Sequence, residues 1–539
     1  MFTDSLIATL TITIDGTDYE IPAGSIRSLG LHMGVLGFEG RAAFTLTSRD
    51  DNDFFTAFAD TTITSFSLSV QATWNQPDDT PDPLYVEGLV IRKSVREYTV
   101  EIMKDTPIIW YDFDIEFKDA AQVLWRQHYP VKVYADTSMK DVITEHTVEN
   151  FTVNADWEPL ETTCDQICLA LGVEGNHASF YDFLIWYVKS RNGVLYYDYS
   201  EKEIVITDSK PEADDTSTLT IDDVGSYRLV IPEIKRHNLR LYNVSSENNS
   251  TTDISQDEAV DGIYRDYVMR TDITSDVTTA SGYLEATVSV PSKEVHLDFK
   301  QMPRTTFTVG SQVAFDDDKW YQDLSFNDDT FRVYEISLKA EAVNQIGESG
   351  INAEYVPFEI EMTAKMENKE NAAQMFPRFI PPRYPLSVEG TVVSETGEDT
   401  DKTYQIYEDE DTSVEYYKVY IPLWEVNILT PYIPDFLPGH MYFPLFRDTR
   451  VLVELTLNGA RIARVLDWGD STRLPDDYQG NHILFGKNDE DQTSMQHYYD
   501  ESKPVLTIER TYGTDTQLIQ VSDESILLQT QDDESDDDS

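Results

Sequence analysis

The chain has 539 residues, with 98 acidic against 41 basic side chains and a formal net charge of −57. Such a surface excludes nucleic-acid binding, which needs a basic face to displace counterions, and passive adhesion to anionic membranes. Apolar residues at 40% and aromatics at 12% still supply cores for three or four domains, so the acidity marks a solvated surface and not global disorder.

The N-terminus, MFTDSLIATL, has no basic region ahead of an apolar run, and no stretch approaches the ~20 apolar residues of a membrane span. Synthesis and folding in the cytoplasm are expected. Over 1–130 the pattern is β: Leu10, Ile12 and Ile14 alternate with threonines, Phe66, Leu68 and Val70 with serines, and Phe113, Ile115 and Phe117 with charges. Asp15-Gly16 and QPDDTPDP punctuate these strands, and a barrel or curved sheet is predicted. The glycine-rich LGLHMGVLGFEG (29–40) has the wrong spacing for a dinucleotide loop and reads as a strand with close backbone packing.

Residues 131–215 read as a small α+β module. Ser138 and Asp141 resemble an N-cap pair before VITEH. In TTCDQICLALG, Cys164, Ile167, Cys168 and Leu171 lie at helical spacing, which predicts a helix over about 162–171 closed by Gly172, with both thiols in a core. These are the only two cysteines, which fits a reducing compartment. Phe180, Phe183, Leu184, Tyr187 and Val188 predict a second helix ended by Asn192-Gly193, and VLYYDY and EIVITD then read as strands.

Residues 216–375 return to β, with Val295, Leu297, Phe299 and then Phe358, Ile360, Met362 alternating. Asn150, Asn243 and Asn248 sit in glycosylation sequons, which read as chance matches without a secretory signal. FPRFIPPRYP (376–385) holds four prolines and reads as a linker. The β unit 386–475 contains Val451, Val453, Leu455 and Leu457 in alternation, a hairpin signal at Asn458-Gly459, and the return strand ARIARVLDW. The last segment, 504–530, offers short apolar–polar runs too few to bury a core alone, so an oligomer is expected. DDESDDDS at the end (tail 531–539) reads as a solubilising tail.

No catalytic constellation stands out: HExxH, GxSxG and GxxxxGK[ST] are absent, and close carboxylate pairs such as EDED (408–411) are unavoidable at this acidity. His482 and His497 flank a carboxylate-rich loop and read as surface histidines. No enzyme activity, cofactor or metal is expected.

PGHMYFPLFRDTRVLVELTLNGARIARVLDW resembles the small OB-type barrel of the VgrG / phage-tail hub-and-spike family. There a Pro-Gly turn, here Pro438-Gly439, precedes a strand, and a G-x-R/T-V-L-V-x-F motif follows, here Asp448 to Leu455 with Arg450, Val451 and Val453. Val465-Leu466-Asp467-Trp468-Gly469 stands where the family has a second strand ending in an apolar-Gly pair. SFYDFLIWYVKSRNGVLYYDY resembles the family's helix leading into a Gly-hydrophobic-Tyr-Tyr strand, and FGKNDEDQTSMQHYYDESKPVLTIER the passage from barrel to spike. Size and domain order look more like the spike of released contractile particles of the antifeeding-prophage type than like type VI secretion VgrG proteins.

The resemblance implies a mainly β chain: tube-like β-barrels at 1–130 and 216–375, an OB fold at 386–475, and a trimeric β-prism or β-helix spike at 476–530. It implies a homotrimer that joins a hexameric, Hcp-like inner tube and baseplate proteins to a membrane-piercing tip. Val505, Ile508, Leu518, Val521, Ile526 and Leu528 are expected on the trimer axis, and Ile526, Leu527 and Leu528 against a PAAR-like tip protein. The target cell envelope would be met on firing, by a particle released outside the cell. The alternative is a phage baseplate hub with cell-wall hydrolase activity.

Overall fold

The computed structural model describes the chain except residues 1, 49–52, 73–82, 104–105, 213–214, 289, 306, 317–328, 344–355, 398–402, 409–413, 432–443, 468–479, 487–490 and 532–539. The fold is mostly β with few helices. The chain divides into two units: Met1–Tyr129, Lys140–Glu161 and His177–Pro382 form the first, and Pro130–Met139, Thr162–Asn176 and Arg383–Ser539 the second. No helix among the described residues is long and apolar enough to cross a membrane.

The first unit is organised by thirteen strands in one sheet. Eight of them pair in a closed circuit. From Phe331–Ala342 the order runs through Ile26–Gly34, Gly37–Thr47, Thr106–Lys118, Leu84–Met103, Thr64–Ala72, Phe2–Ile14 and Val356–Asn368, which pairs back with Phe331–Ala342. Closure leaves those ladders no free edge. Gln312–Phe315 and Thr216–Leu219 extend from one closing strand; Glu294–Phe299 and Val224–Val230 extend from the other. The segments 1–130 and 216–375, expected as two separate barrels, therefore contribute strands to a single sheet.

The period-two pattern dictates the interior. Leu10 pairs with Leu68 and Ile12 with Phe66, and all four are buried. Phe113, Ile115 and Phe117, and across the circuit Phe358, Ile360 and Met362, are buried as their alternation predicts. Phe44 stacks on Phe113 at 5.0 Å between centroids, and Phe54 and Phe58 close around the same ring. Gly40 is required here, because a Cβ at that position would stand 2.4 Å from the Gly30 carbonyl oxygen. The glycine-rich stretch is thus a closely packed hairpin.

A helix and a three-stranded sheet clasp the tip of that hairpin. The helix Phe180–Ser190 starts on a capping box: Ser179 accepts from the Asp182 amide while Asp182 accepts from the Ser179 amide. Its predicted apolar stripe is buried. Val194–Asp198 and Glu203–Thr207 pair antiparallel, and Thr152–Ala155 adds in parallel. The Tyr197 amide donates to Val35 O at 2.7 Å. The Tyr199 hydroxyl lies 2.8 Å from both Gly34 O and Gly37 O, and the Tyr181 hydroxyl donates to Leu36 O. Asp119 caps the helix Ala120–Trp125 by accepting from the Gln122 amide; it is 1% exposed and its Oδ2 has no hydrogen-bond partner. Burial pushes this carboxyl up to about 7.

In the second unit, the segment predicted as a cysteine helix is the strand Thr163–Ala170, paired antiparallel with Val131–Ser138. Ile167, Cys168, Leu169, Ala170 and Leu171 are each at most 1% exposed. A strand covered on both faces needs such a continuous apolar run, and the helical spacing was incidental to it. Cys168 sits in a core with Val133, Val419, Ile428, Val451 and Val453, where burial pushes its thiol up to about 12; Cys164 is half-buried, outside that core. The sheet beside it runs Tyr407–Glu408, Glu415–Ile421, Leu386–Val393, Arg450–Leu455, Ala460–Asp467, with Val426–Pro431 also on Glu415–Ile421. Val451, Val453, Leu455 and Leu457 are all buried as their alternation predicts. The predicted hairpin forms across residues 456–459, where the Thr456 amide donates to Gly459 O. Pro438, Gly439 and Trp468 lie outside the described residues.

Candidate assembly face

The last five strands, Gly480–Gly486, Asp491–Asp500, Lys503–Tyr512, Asp515–Ser522 and Ser525–Gln531, form an antiparallel meander that, among the described residues, pairs only with itself. Two-residue turns fix its register. Asp500 pairs with Lys503, Tyr512 with Asp515 and Ser522 with Ser525. Positive φ at Glu501 (44°), Ser502 (71°) and Gly513 (58°) supplies the backbone that such turns need.

That register aligns one apolar row across all five strands: Ile483, Met495, Ile508, Ile519, Leu528. The next row on the same face runs His497, Leu506, Val521, Ile526. The other face carries Gln496, Thr507, Gln520 and Leu527 in one row and Ser494, Glu509, Leu518 and Gln529 in another. The apolar face is the one left open: Ile519 is 43% exposed and Leu528 73%. Monomers rarely leave so long an apolar row in water.

The predicted axis residues fall on both faces. Ile508, Val521, Ile526 and Leu528 share the apolar face; Leu518 lies on the opposite one, as does Val505, which pairs with Tyr498 and is buried. Of the predicted tip contacts, Ile526 and Leu528 point one way and Leu527 the other. Sequence reasoning missed Ile483, Met495, Leu506 and Ile519: alternation within a strand already sets Leu506 beside Ile508 and Ile519 beside Val521, and the register adds Ile483 and Met495.

No three His, Cys, Asp or Glu side chains converge on a metal site among the described residues. His482 pairs with Gln496, one register step from the pairing of Asn481 with His497.

No protein-family model and no curated protein matches the sequence. Solved structures do. The chain superposes on a chain of the structure described as the PdpA-VgrG complex, lidless, with TM-score 0.73 and 13% identity over 99% of each chain. Chains of the Francisella PdpA-VgrG complex match too. The lidded form gives TM-score 0.72 at 12% identity (98% of this chain, 80% of that one), and the half-lidded form 0.71 at 12% (98% and 88%). At these identities the likeness is one of fold, and over nearly its whole length the chain is folded like the chains of these complexes.

Proposed function

We propose that three copies of this chain form the spike and hub of a contractile injection system, joining a hexameric, Hcp-like inner tube to a membrane-piercing tip. The single observation that carries this is the open apolar face of the C-terminal meander. Each Ile, Leu or Val that moves from water into a core contributes roughly 1.5–3 kcal/mol, and the face aligns seven of them in two rows. Three such sheets with their apolar faces inward make a three-sided prism in which every apolar row is dry. The shared fold with chains of PdpA-VgrG complexes supports the same reading.

The role is mechanical. A contracting sheath drives the tube, and an interlocked prism transmits that force to a small area of the target envelope without bending. The thirteen-stranded sheet of the first unit is the part that meets the tube and baseplate proteins. Ile526 and Leu528, on the last strand, border the seat of a PAAR-like tip protein. A trimer carries about −171 formal charges, three times −57, which keeps a particle of the released, antifeeding-prophage type dispersed before firing.

The test is mass in solution for the chain and for Ile519→Asp. The native chain is expected at roughly 185 kDa, three times 61.7 kDa, and the variant at the mass of one chain. A native chain that runs as a monomer at micromolar concentration, or a variant that still assembles, overturns the proposal.

A further inference from the structure

We propose that the second unit binds a neutral saccharide, in a cavity of about 530 Å3 on the outside of its six-stranded sheet. The floor is a cross-strand row, Thr391 beside Tyr420 beside Asn427, with Val393 one step along the same face. The wall is the turn that carries Arg447 and Asp448.

That wall is held in place. The Arg447 amide donates to Thr403 O at 2.8 Å and its Nε to Ser394 O at 2.8 Å. The Asp448 amide donates to Val392 O at 2.9 Å, and Asp448 keeps a left-handed φ of 64°. Gly390 lets this strand pack closely: a Cβ there would stand 2.5 Å from Val419 Cγ1.

The chemistry around the cavity selects the ligand. It collects two hydroxyls, a phenol, a carboxamide, a guanidinium and a carboxylate, a mixture of donors and acceptors around one aromatic ring. Sugar hydroxyls both donate and accept, and the C–H face of a pyranose packs on an aromatic ring, so each part of the set has a use. A cation is disfavoured, because one carboxylate falls far short of the six to eight oxygens of a calcium site. An anion is disfavoured because Arg447, the one cation of the lining, already donates its Nε to Ser394 O and is followed by the Asp448 carboxylate, in a chain of net charge −57. The volume lies within the range of small-ligand sites, ~300–1,000 Å3, and admits a disaccharide.

The inference does not rest on the spike reading, since the cavity is built within one chain. The experiment is saturation-transfer NMR on the full chain with maltose, cellobiose, lactose and chitobiose, each at about 10 mM, the range where weak sites load. At least one is expected to receive saturation. Asn427→Ala and Asp448→Asn are each expected to weaken it roughly tenfold. Asparagine tolerates the left-handed backbone, so Asp448→Asn should melt with the parent chain. Absence of transfer to all four sugars overturns the proposal. So does equal transfer in both variants, or competition by an acidic tetrapeptide in place of the sugars, which would make the cavity a peptide site.

Discussion

The closed sheet of the first unit and the C-terminal meander are written in the same period-two code and end in opposite states. In the closed sheet the alternating residues reach the interior, and Leu68, Val70 and Ile115 are fully buried. In the meander an equally regular row stands open, with Ile526 at 72% and Leu528 at 73% exposure. The difference is closure. Val356–Asn368 returns to Phe2–Ile14 and completes a circuit, whereas Ser525–Gln531 has a neighbour on one side only. Alternation therefore specifies a face to be covered, and topology decides whether the chain covers it by itself.

Four substitutions break or sharpen this contrast. The largest effect is expected from Ile519→Asp, at the centre of the open row. Three copies would each bury an unpaired charge at a cost of at least ~2 kcal/mol, enough to abolish assembly. In the isolated chain the same change lies on an exposed surface and should shift stability by under ~1 kcal/mol. Analytical ultracentrifugation paired with a thermal melt reads both. Phe113→Ala is expected to do the reverse. It removes a ring packed against Phe44, Phe54 and Phe58, and should cost the first unit ~3–5 kcal/mol, while chains below their melting point still assemble.

Asp119→Asn comes next. The folded chain holds this proton more tightly than the unfolded chain does, up to about 7 against an ordinary 3.8. The stabilisation it gives is fully present below about pH 4 and lost as pH rises through about 7, at ~1.4 kcal/mol per unit at most. Asparagine keeps the acceptor for the Gln122 amide without that titration. The melting temperature of the native chain should fall between pH 5 and pH 8 relative to the variant, and parallel curves would refute the assignment. The smallest effect is expected from Tyr199→Phe. It leaves Gly34 O and Gly37 O without their hydroxyl and should cost ~1–2 kcal/mol, read as faster amide exchange in the 34–40 hairpin.

Much of this fold was legible in the sequence. The alternation at Leu10–Ile14, at Phe113–Phe117 and at Phe358–Met362 gave the right faces, because a half-buried strand has no other way to be written. The helix Phe180–Ser190 was legible from its stripe, and its Ser179–Asp182 box is local chemistry. Partnership was not legible. Nothing in Phe2–Ile14 says that its neighbour lies beyond residue 350, since side-chain alternation carries no address. The cysteine segment failed for a related reason: ICLAL satisfies a helix stripe and a doubly buried strand alike, and only the ladder to Val131–Ser138 decides between them. The assembly face was half legible. Alternation within Lys503–Tyr512 alone puts Leu506 with Ile508 and Val505 behind them; Tyr-Gly-Thr-Asp at 512–515 announces a turn, but Glu501-Ser502 carries no glycine or asparagine, so the pairing of that strand with Met495 and His497 had no local cue.

The returning strand also sets a timetable for biosynthesis. Phe2–Ile14 leaves the ribosome well before its partner Val356–Asn368, which follows more than three hundred residues later. At translation rates of ~5–20 residues per second, the growing polypeptide carries an unfinished sheet on the order of 20–70 s. Each hairpin of the C-terminal meander, by contrast, is complete within moments of emerging, because its neighbours are adjacent in the chain. A nascent-chain chaperone should therefore be needed while the closed sheet is unfinished and dispensable while the meander emerges.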